Sequence, residues 1–201
     1  MHESGIEFEI KGTLDSASVE RLAAQASVGP ASTVVDRYLD TANADLFLNA
    51  VFVRVRNNEM LEVKHNEGIN GVDHFACNDR QVTFPPSPED AEAISSFLAF
   101  LVYGRHSSKT IDFFALTDFV RIEKVRRSGR IGPVVVSLDE VSGLGVFVEM
   151  EVRTQADTTA LMRLASAWGV HNLPIGYVEL TLRRHHHELY KRGRFVLPED
   201  M

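Results

Sequence analysis

Cysteine is all but missing from this chain: there is one, Cys77, in 201 residues. An internal disulfide and a cysteine-built metal site are thereby excluded. With no histidine arrangement pointing to it, Cys77 is expected to be a small buried residue and not a nucleophile. No unbroken apolar run reaches the ~18 residues a membrane helix needs, so no membrane partner is expected. The opening MHESGIEFEIKG lacks the basic-then-apolar order of a secretory signal, and a cytoplasmic location is expected. Basic residues are in deficit, 21 against 28 acidic, for a formal net charge of −7. That balance argues against nucleic acid as a partner but leaves room for a local basic pocket. There is no tandem repeat and no low-complexity stretch. One domain spanning 1–201 is the simplest reading of this length.

What the chain does have is alternation. In GIEFEIKG, charged and apolar residues alternate with the period of a β-strand, placing Glu7, Glu9 and Lys11 on one face and Ile6, Phe8 and Ile10 on the other. A helix follows, capped at Asp15 or Ser16, with Val19, Leu22, Ala23 and Ala26 as its apolar stripe. A strand over roughly 33–39 leads into the turn-rich TANADL. AVFVRVR then sets Val51, Val53 and Val55 against Phe52, Arg54 and Arg56. Asn57-Asn58 reads as a hairpin turn, and MLEVKH puts Glu62 and Lys64 opposite Leu61 and Val63. The stretch NEGINGVDH is loop-like, and HFACNDRQVTF is a strand of less regular alternation.

Ser87-Pro88-Glu89-Asp90 opens a helix with a buried stripe of Ile94, Phe97, Leu98 and Leu101. Strand patterns resume in FVRIEKVRR, GPVVVSLDEV and VFVEMEVR. The last of these sets Val146, Val148, Met150 and Val152 opposite Phe147, Glu149, Glu151 and Arg153. A third helix starts at Asp157, buries Leu161, Leu164, Ala165 and Trp168, and ends at Gly169. GYVELTLR reads as a final strand, and 185–201 as a polar tail. The order suggests an α+β, mostly β domain: about eight antiparallel strands in a barrel or strongly curved sheet, with amphipathic helices outside.

On such strands the charged faces either meet solvent or line a lumen, and periodicity alone does not choose. The charge chemistry is more telling. A Glu-x-Glu pair on a strand sets two carboxylates ~6.6 Å apart on one face, and this chain has two, Glu7/Glu9 and Glu149/Glu151, with Asp139 besides. Against them stand Lys11, Arg54, Arg56, Lys64, Lys124 and Arg126. Carboxylates without histidine suit hard cations such as Mg²⁺ or Mn²⁺. Clustered arginines and lysines suit phosphate. Together they are the ingredients of metal-dependent phosphoryl transfer.

EFEIK resembles the Glu-x-Glu-x-Lys signature of the CYTH superfamily, the triphosphate tunnel metalloenzymes. DRYLDT resembles the family's Asp-x-Tyr-x-Asp segment, and FVRVR with LEVK its Arg-x-Arg and lysine strands. EKVRR, SLDEVSGLGVFVEMEVR and GYVELTLR are similar to its Lys-x-Arg strand, its aspartate and Glu-x-Glu strands, and its closing Ser-Tyr strand. The likeness runs in order over about residues 5–184. It implies a closed eight-stranded antiparallel tunnel with the charges inward, binding a small-molecule triphosphate with Mg²⁺ or Mn²⁺. The metal ligands it implies are Glu7, Glu9, Asp139, Glu149 and Glu151. The phosphate-holding residues would be Lys11, Arg54, Arg56, Lys64 and Arg126, helped by Lys124 and, at weaker matches, Arg80 and Arg183. Lys11, Glu149 and Glu151 are the implied catalytic groups. The activity implied is hydrolysis of tripolyphosphate, thiamine triphosphate or a nucleoside triphosphate. The alternatives are a class IV adenylyl cyclase and a non-catalytic polyphosphate or nucleotide binder, acting as a monomer or homodimer.

Some features depart from the family pattern. No lysine accompanies Pro174-Ile175-Gly176-Tyr177, and Glu62 stands where a neutral residue is more usual. Phe52 is read as packing, Ser137 and Tyr38 as possible supporting donors, and His185-His186-His187 as solvated surface, since three consecutive side chains diverge.

Overall fold

The computed structural model describes residues 6–66, 75–170 and 172–201, with 6, 66 and 75–79 described by backbone alone. The loop reading of 67–74 and the expected burial of Cys77 fall outside these. Eight strands form one strongly curled antiparallel sheet: β1 (Ile6–Gly12), β2 (Ser32–Asp40), β3 (Val51–Arg56), β4 (Met60–Asn66), β5 (Phe75–Thr83), β6 (Thr117–Ile131), β7 (Val134–Val141) and β8 (Gly145–Val152). Their hydrogen-bonded order is β1-β5-β4-β3-β2-β6-β7-β8, and the ladder closes because β8 pairs back onto β1. Among the described residues, six α-helices complete the α+β fold: α1 (Ser16–Gln25), α2 (Asp45–Leu48), α3 (Pro88–Tyr103), α4 (Thr158–Trp168), α5 (Tyr177–His185) and α6 (His187–Arg192). No described helix is long and apolar enough to cross a membrane.

The alternating strands turn their aliphatic faces outward under helices. Phe8 and Ile10 of β1, Val136 and Leu138 of β7, and Val148 and Met150 of β8 pack with Leu22 of α1 and Leu161 of α4. Val51, Val53 and Val55 of β3, with Leu61 and Val63 of β4, pack beneath Ile94 and Leu98 of α3. Burying each such side chain contributes about 1.5–3 kcal/mol. That gain commits the opposite, charged faces to the lumen. Where β6 crosses the end of α1, Gly129 has no room for a side chain: a Cβ there would lie 2.2 Å from the Ala26 carbonyl oxygen.

Two readings of the sequence need correction. GYVELTLR is helix α5 and not a strand. Glu179 returns a carboxylate oxygen to the Gly176 N–H at 3.1 Å, while Arg183, Arg184 and His185 occupy the negative end of the helix. Those terminal interactions outweigh the alternation of Tyr, Val and Leu. The tail is not simply polar, since Tyr190 of α6 and Leu197 are buried with Val178 and Leu182 of α5. The same cluster includes Val120 and Ile122 of β6 and Phe147 of β8. Residues 120, 122, 124 and 126 share a strand face, so this cluster is an apolar plug continuous with the lumen that holds Lys124 and Arg126.

TANADL turns at 42–43, as read, and its last two residues begin α2. Its start is built by buried Asp40, whose Oδ1 accepts the Thr41 and Leu46 N–H groups at 2.7 and 2.9 Å and whose Oδ2 accepts that of Phe47 at 2.9 Å. Burial pushes the Asp40 carboxyl up to about 6, against those three hydrogen bonds. The folded chain therefore holds this proton more tightly than the unfolded chain. The group favours folding most below its ordinary value of 3.8, and that contribution is lost as pH rises through 6. Asp40→Asn keeps one acceptor oxygen and cannot ionise. Thermal melts should therefore show wild type losing about 2 kcal/mol relative to the variant between pH 4 and pH 7. Parallel pH curves would contradict this role.

Candidate functional site

Register brings the charges together. Glu9 of β1 lies opposite Glu151 of β8, and Lys11 opposite Glu149. Arg126 of β6 lies opposite Asp139 of β7. Arg54 of β3 lies between Tyr38 of β2 and Glu62 of β4. Their inward side chains surround a cavity of about 390 Å³, within the range of small-ligand pockets. Glu7, Glu9, Lys11, Arg54, Arg56, Lys64, Lys124, Arg126, Glu149 and Glu151 all line it.

The bases are held by buried acids. Lys11 Nζ lies 2.9 Å from Glu9 Oε1 and 3.1 Å from Glu149 Oε1. Burial alone would lower the Lys11 ammonium, but Glu9 and Glu149 outweigh it and hold the group charged, well above the ordinary lysine range. Arg126 donates from Nε and Nη2 to the two oxygens of Asp139, at 2.6 and 2.5 Å, and from Nη2 to Glu149 as well. Lys124 Nζ donates to Asp139 Oδ2 at 2.7 Å. Its pKa is lowered, burial and Arg126 prevailing over Glu149 and Asp139. Glu149 is the converse: burial opposes its charge, yet Lys11, Lys124 and Arg126 hold it well below the usual carboxylate range.

Tyr177, in the first turn of α5, ties this wall together. Its hydroxyl donates to Asp139 Oδ2 at 3.0 Å. Lys11 Nζ and Lys124 Nζ lie 4.4 and 4.8 Å from its ring centroid, within cation–π range. On the other wall Arg56 makes a two-pronged contact with Asp36, at 2.8 and 2.9 Å.

A second region is acidic. Lys64 Nζ reaches Glu7 Oε2 at 2.8 Å, and Arg153 lies 3.3 Å from Glu7 Oε1. Burial opposes the Glu7 charge, but Lys64 and Arg153 lower its pKa. Glu151 is pushed up to about 7, by burial first and then by Glu7 and Glu9. Among the described residues, no three acidic or histidine side chains converge on one point as a finished metal cage.

Three of the sequence-predicted residues lie elsewhere. Arg80 is paired with outward-facing Val63, and its guanidinium stacks 4.7 Å from the Phe97 ring of α3. Among the described side chains of β5, the neighbouring Gln81 lines the cavity. Arg183 sits in the last turn of α5, with Nε 2.6 Å from Asp200 Oδ2, outside the cavity. Asp139 is fully enclosed and does not line the cavity; its oxygens are taken by Lys124, Arg126 and Tyr177. The histidines at 185–187 are exposed, and Phe52 lines the cavity edge-on to Tyr38, with ring centroids 6.5 Å apart. Sequence reasoning missed Gln81, because β5 alternates poorly, and Glu179, whose buried carboxyl lines the cavity from α5. A glutamate three residues after a glycine was the available sign of that helix start.

The strands thus form an antiparallel barrel whose small-ligand cavity is lined by facing acids and bases. The CYTH domain matches residues 5–169, and the chain belongs to that family. Among solved structures it is similar to the PH1819 protein of Pyrococcus horikoshii, with 19% identity and a TM-score of 0.64 over 89% of this chain and 99% of that one. A protein of Bacillus halodurans assigned as an adenylate cyclase gives 16% identity and a TM-score of 0.64, covering 91% and 98%. The Hippeastrum protein HpAC1, assigned as an adenylyl cyclase and described as having a dominant triphosphatase activity, gives 16% and 0.55, covering 96% and 98%. At these identities the likeness concerns the fold. None of the curated proteins compared with the chain matches it.

Proposed function

We propose that this chain is a divalent-cation-dependent hydrolase of small triphosphates, acting inside the barrel cavity. One observation carries the reading. On the adjacent strands β6, β7, β8 and β1, the bases Lys11, Lys124 and Arg126 stand beside the facing carboxylates Glu9 and Glu151. The bases suit a run of phosphates, with Arg126 offering the planar fork. The carboxylates suit a hard cation such as Mg²⁺ or Mn²⁺. They supply oxygen donors only, and like charges opposed across strands are unfavourable until a cation lies between them. Mg²⁺ is commonly held by one or two carboxylates plus substrate phosphates, so a complete protein cage is not required. Glu9 and Glu151 would hold it, with Glu7 alongside.

When bound, the cation neutralises phosphate oxygens and lowers the pKa of a coordinated water. Lys11 and Arg126 hold the reacting phosphate and stabilise the charge that develops on it. Asp139 and Glu149 act as positioning residues for Lys124, Arg126 and Lys11, which refines the ligand role expected for both. The triphosphatase activity described for the Hippeastrum relative agrees with this reading.

A cyclase reading has one observation in its favour: Tyr38, Phe52, Ile175 and Val178 give the cavity an apolar stretch that could seat a planar base. A screen of tripolyphosphate, thiamine triphosphate and ATP with Mg²⁺ and Mn²⁺ separates the readings. Orthophosphate release is expected, whereas cyclic AMP with pyrophosphate from ATP would replace hydrolase by cyclase. Binding without any product would leave a binding module.

A further inference from the structure

Glu62 is buried in β4, opposite Arg54 of β3 and Gln81 of β5. Both its oxygens are engaged: Gln81 Nε2 donates to Oε1 at 2.7 Å, and Arg54 Nη2 donates to Oε2. The other terminal nitrogen of Arg54 reaches Asp36 Oδ2 at 3.4 Å, and Asp36 also receives the fork of Arg56. Two guanidinium groups and two enclosed carboxylates thus cancel on this wall. A neutral residue at 62 would leave the two arginines with Asp36 alone and a net positive charge facing the cavity.

We propose that Glu62 is a specificity-determining residue that withdraws Arg54 from the phosphate-binding set. Arg54 then acts as a strut between β2, β3 and β4. The cavity grips a phosphate chain through Lys11, Arg56, Lys64, Lys124 and Arg126, without the Arg54 contact that its lining suggests. Affinity for long, highly charged phosphate chains is held down accordingly. The inference rests on the triphosphate reading of the cavity.

The test is calorimetric titration of the full chain with the non-hydrolysable imido analogue of tripolyphosphate in Mg²⁺. Glu62→Gln keeps one acceptor oxygen for Arg54 and, with the Gln81 side-chain amide turned over, donates to Gln81, so it should fold, which melting curves verify. The variant should bind about tenfold more tightly than wild type, the order expected for one added charge in a shielded cavity. The gain should vanish in Glu62→Gln/Arg54→Met. Wild type binding as tightly as Glu62→Gln, or a gain that survives Arg54→Met, overturns the role of Glu62 and leaves the triphosphate reading intact. Absence of binding by both wild type and Glu62→Gln overturns the triphosphate reading and this inference with it.

Discussion

Arg126→Ala is expected to lower kcat/KM for the triphosphate by about 10³-fold, the scale seen when a preorganised donor to a phosphoryl or oxyanion group is removed. Arg126 is the residue through which the basic wall is wired, since its guanidinium meets both Asp139 and Glu149. Its removal also leaves those buried carboxylates short of a partner. The protein should still fold, because Lys124 and Tyr177 continue to hold Asp139, and Lys11 continues to hold Glu149. Arg126→Lys separates charge from geometry: it keeps the cation and loses the fork, and should recover roughly tenfold or more of the lost activity. Arg121→Ala, on the exposed side of β6, where Arg121 pairs with Glu123, should leave turnover unchanged. Steady-state kinetics with paired melting curves check all three. Comparable losses in Arg121→Ala and Arg126→Ala would contradict the inward reading of the strand.

The second large effect concerns the cation. Glu9 and Glu151 oppose each other in register, and the Glu151 carboxyl is pushed up to about 7 by burial, Glu7 and Glu9. Glu151→Gln should therefore stabilise the metal-free protein above pH 7, because it removes a like-charge contact that opposes folding and leaves the Glu9–Lys11 ion pair in place. The same change should abolish stabilisation by Mn²⁺. In wild type that stabilisation should reach about 2.7 kcal/mol once the ion exceeds its Kd a hundredfold. This crossing of signs, a gain without metal and a loss with it, distinguishes a cation site from an ordinary ion-paired surface. Differential scanning calorimetry at a series of Mn²⁺ concentrations reads both halves.

Much of this site was legible because strand alternation is a simple code. Once Phe8, Ile10, Val53 and Val63 are committed to helix-covered faces, their neighbours Glu9, Lys11, Arg54 and Lys64 have only the lumen left. Whether those charges faced solvent or a lumen was undecidable from period alone. It turned on pairings between strands distant in sequence, such as Glu9 with Glu151. The misreadings share a cause. GYVELTLR alternates like a strand, but its end interactions and its packing on Phe147 and Tyr190 make it a helix. The same error carried Arg183 into the site on paper, whereas the helix carries it to Asp200. Arg80 failed for want of register, because one residue's shift on β5 decides whether position 80 or 81 faces inward. Asp139 was correctly placed beside the bases, but only the three-dimensional arrangement gives it three donors and no open face.

The most direct test is a crystal structure of the protein with Mn²⁺ and the imido analogue of tripolyphosphate, with the metal located by its anomalous scattering. The expected result is a Mn²⁺ peak between Glu9 and Glu151 that shares oxygens with a phosphate chain lying along Lys11, Lys124 and Arg126. A chain bound outside the barrel, or a cavity that stays free of both ions under saturating conditions, would contradict the account.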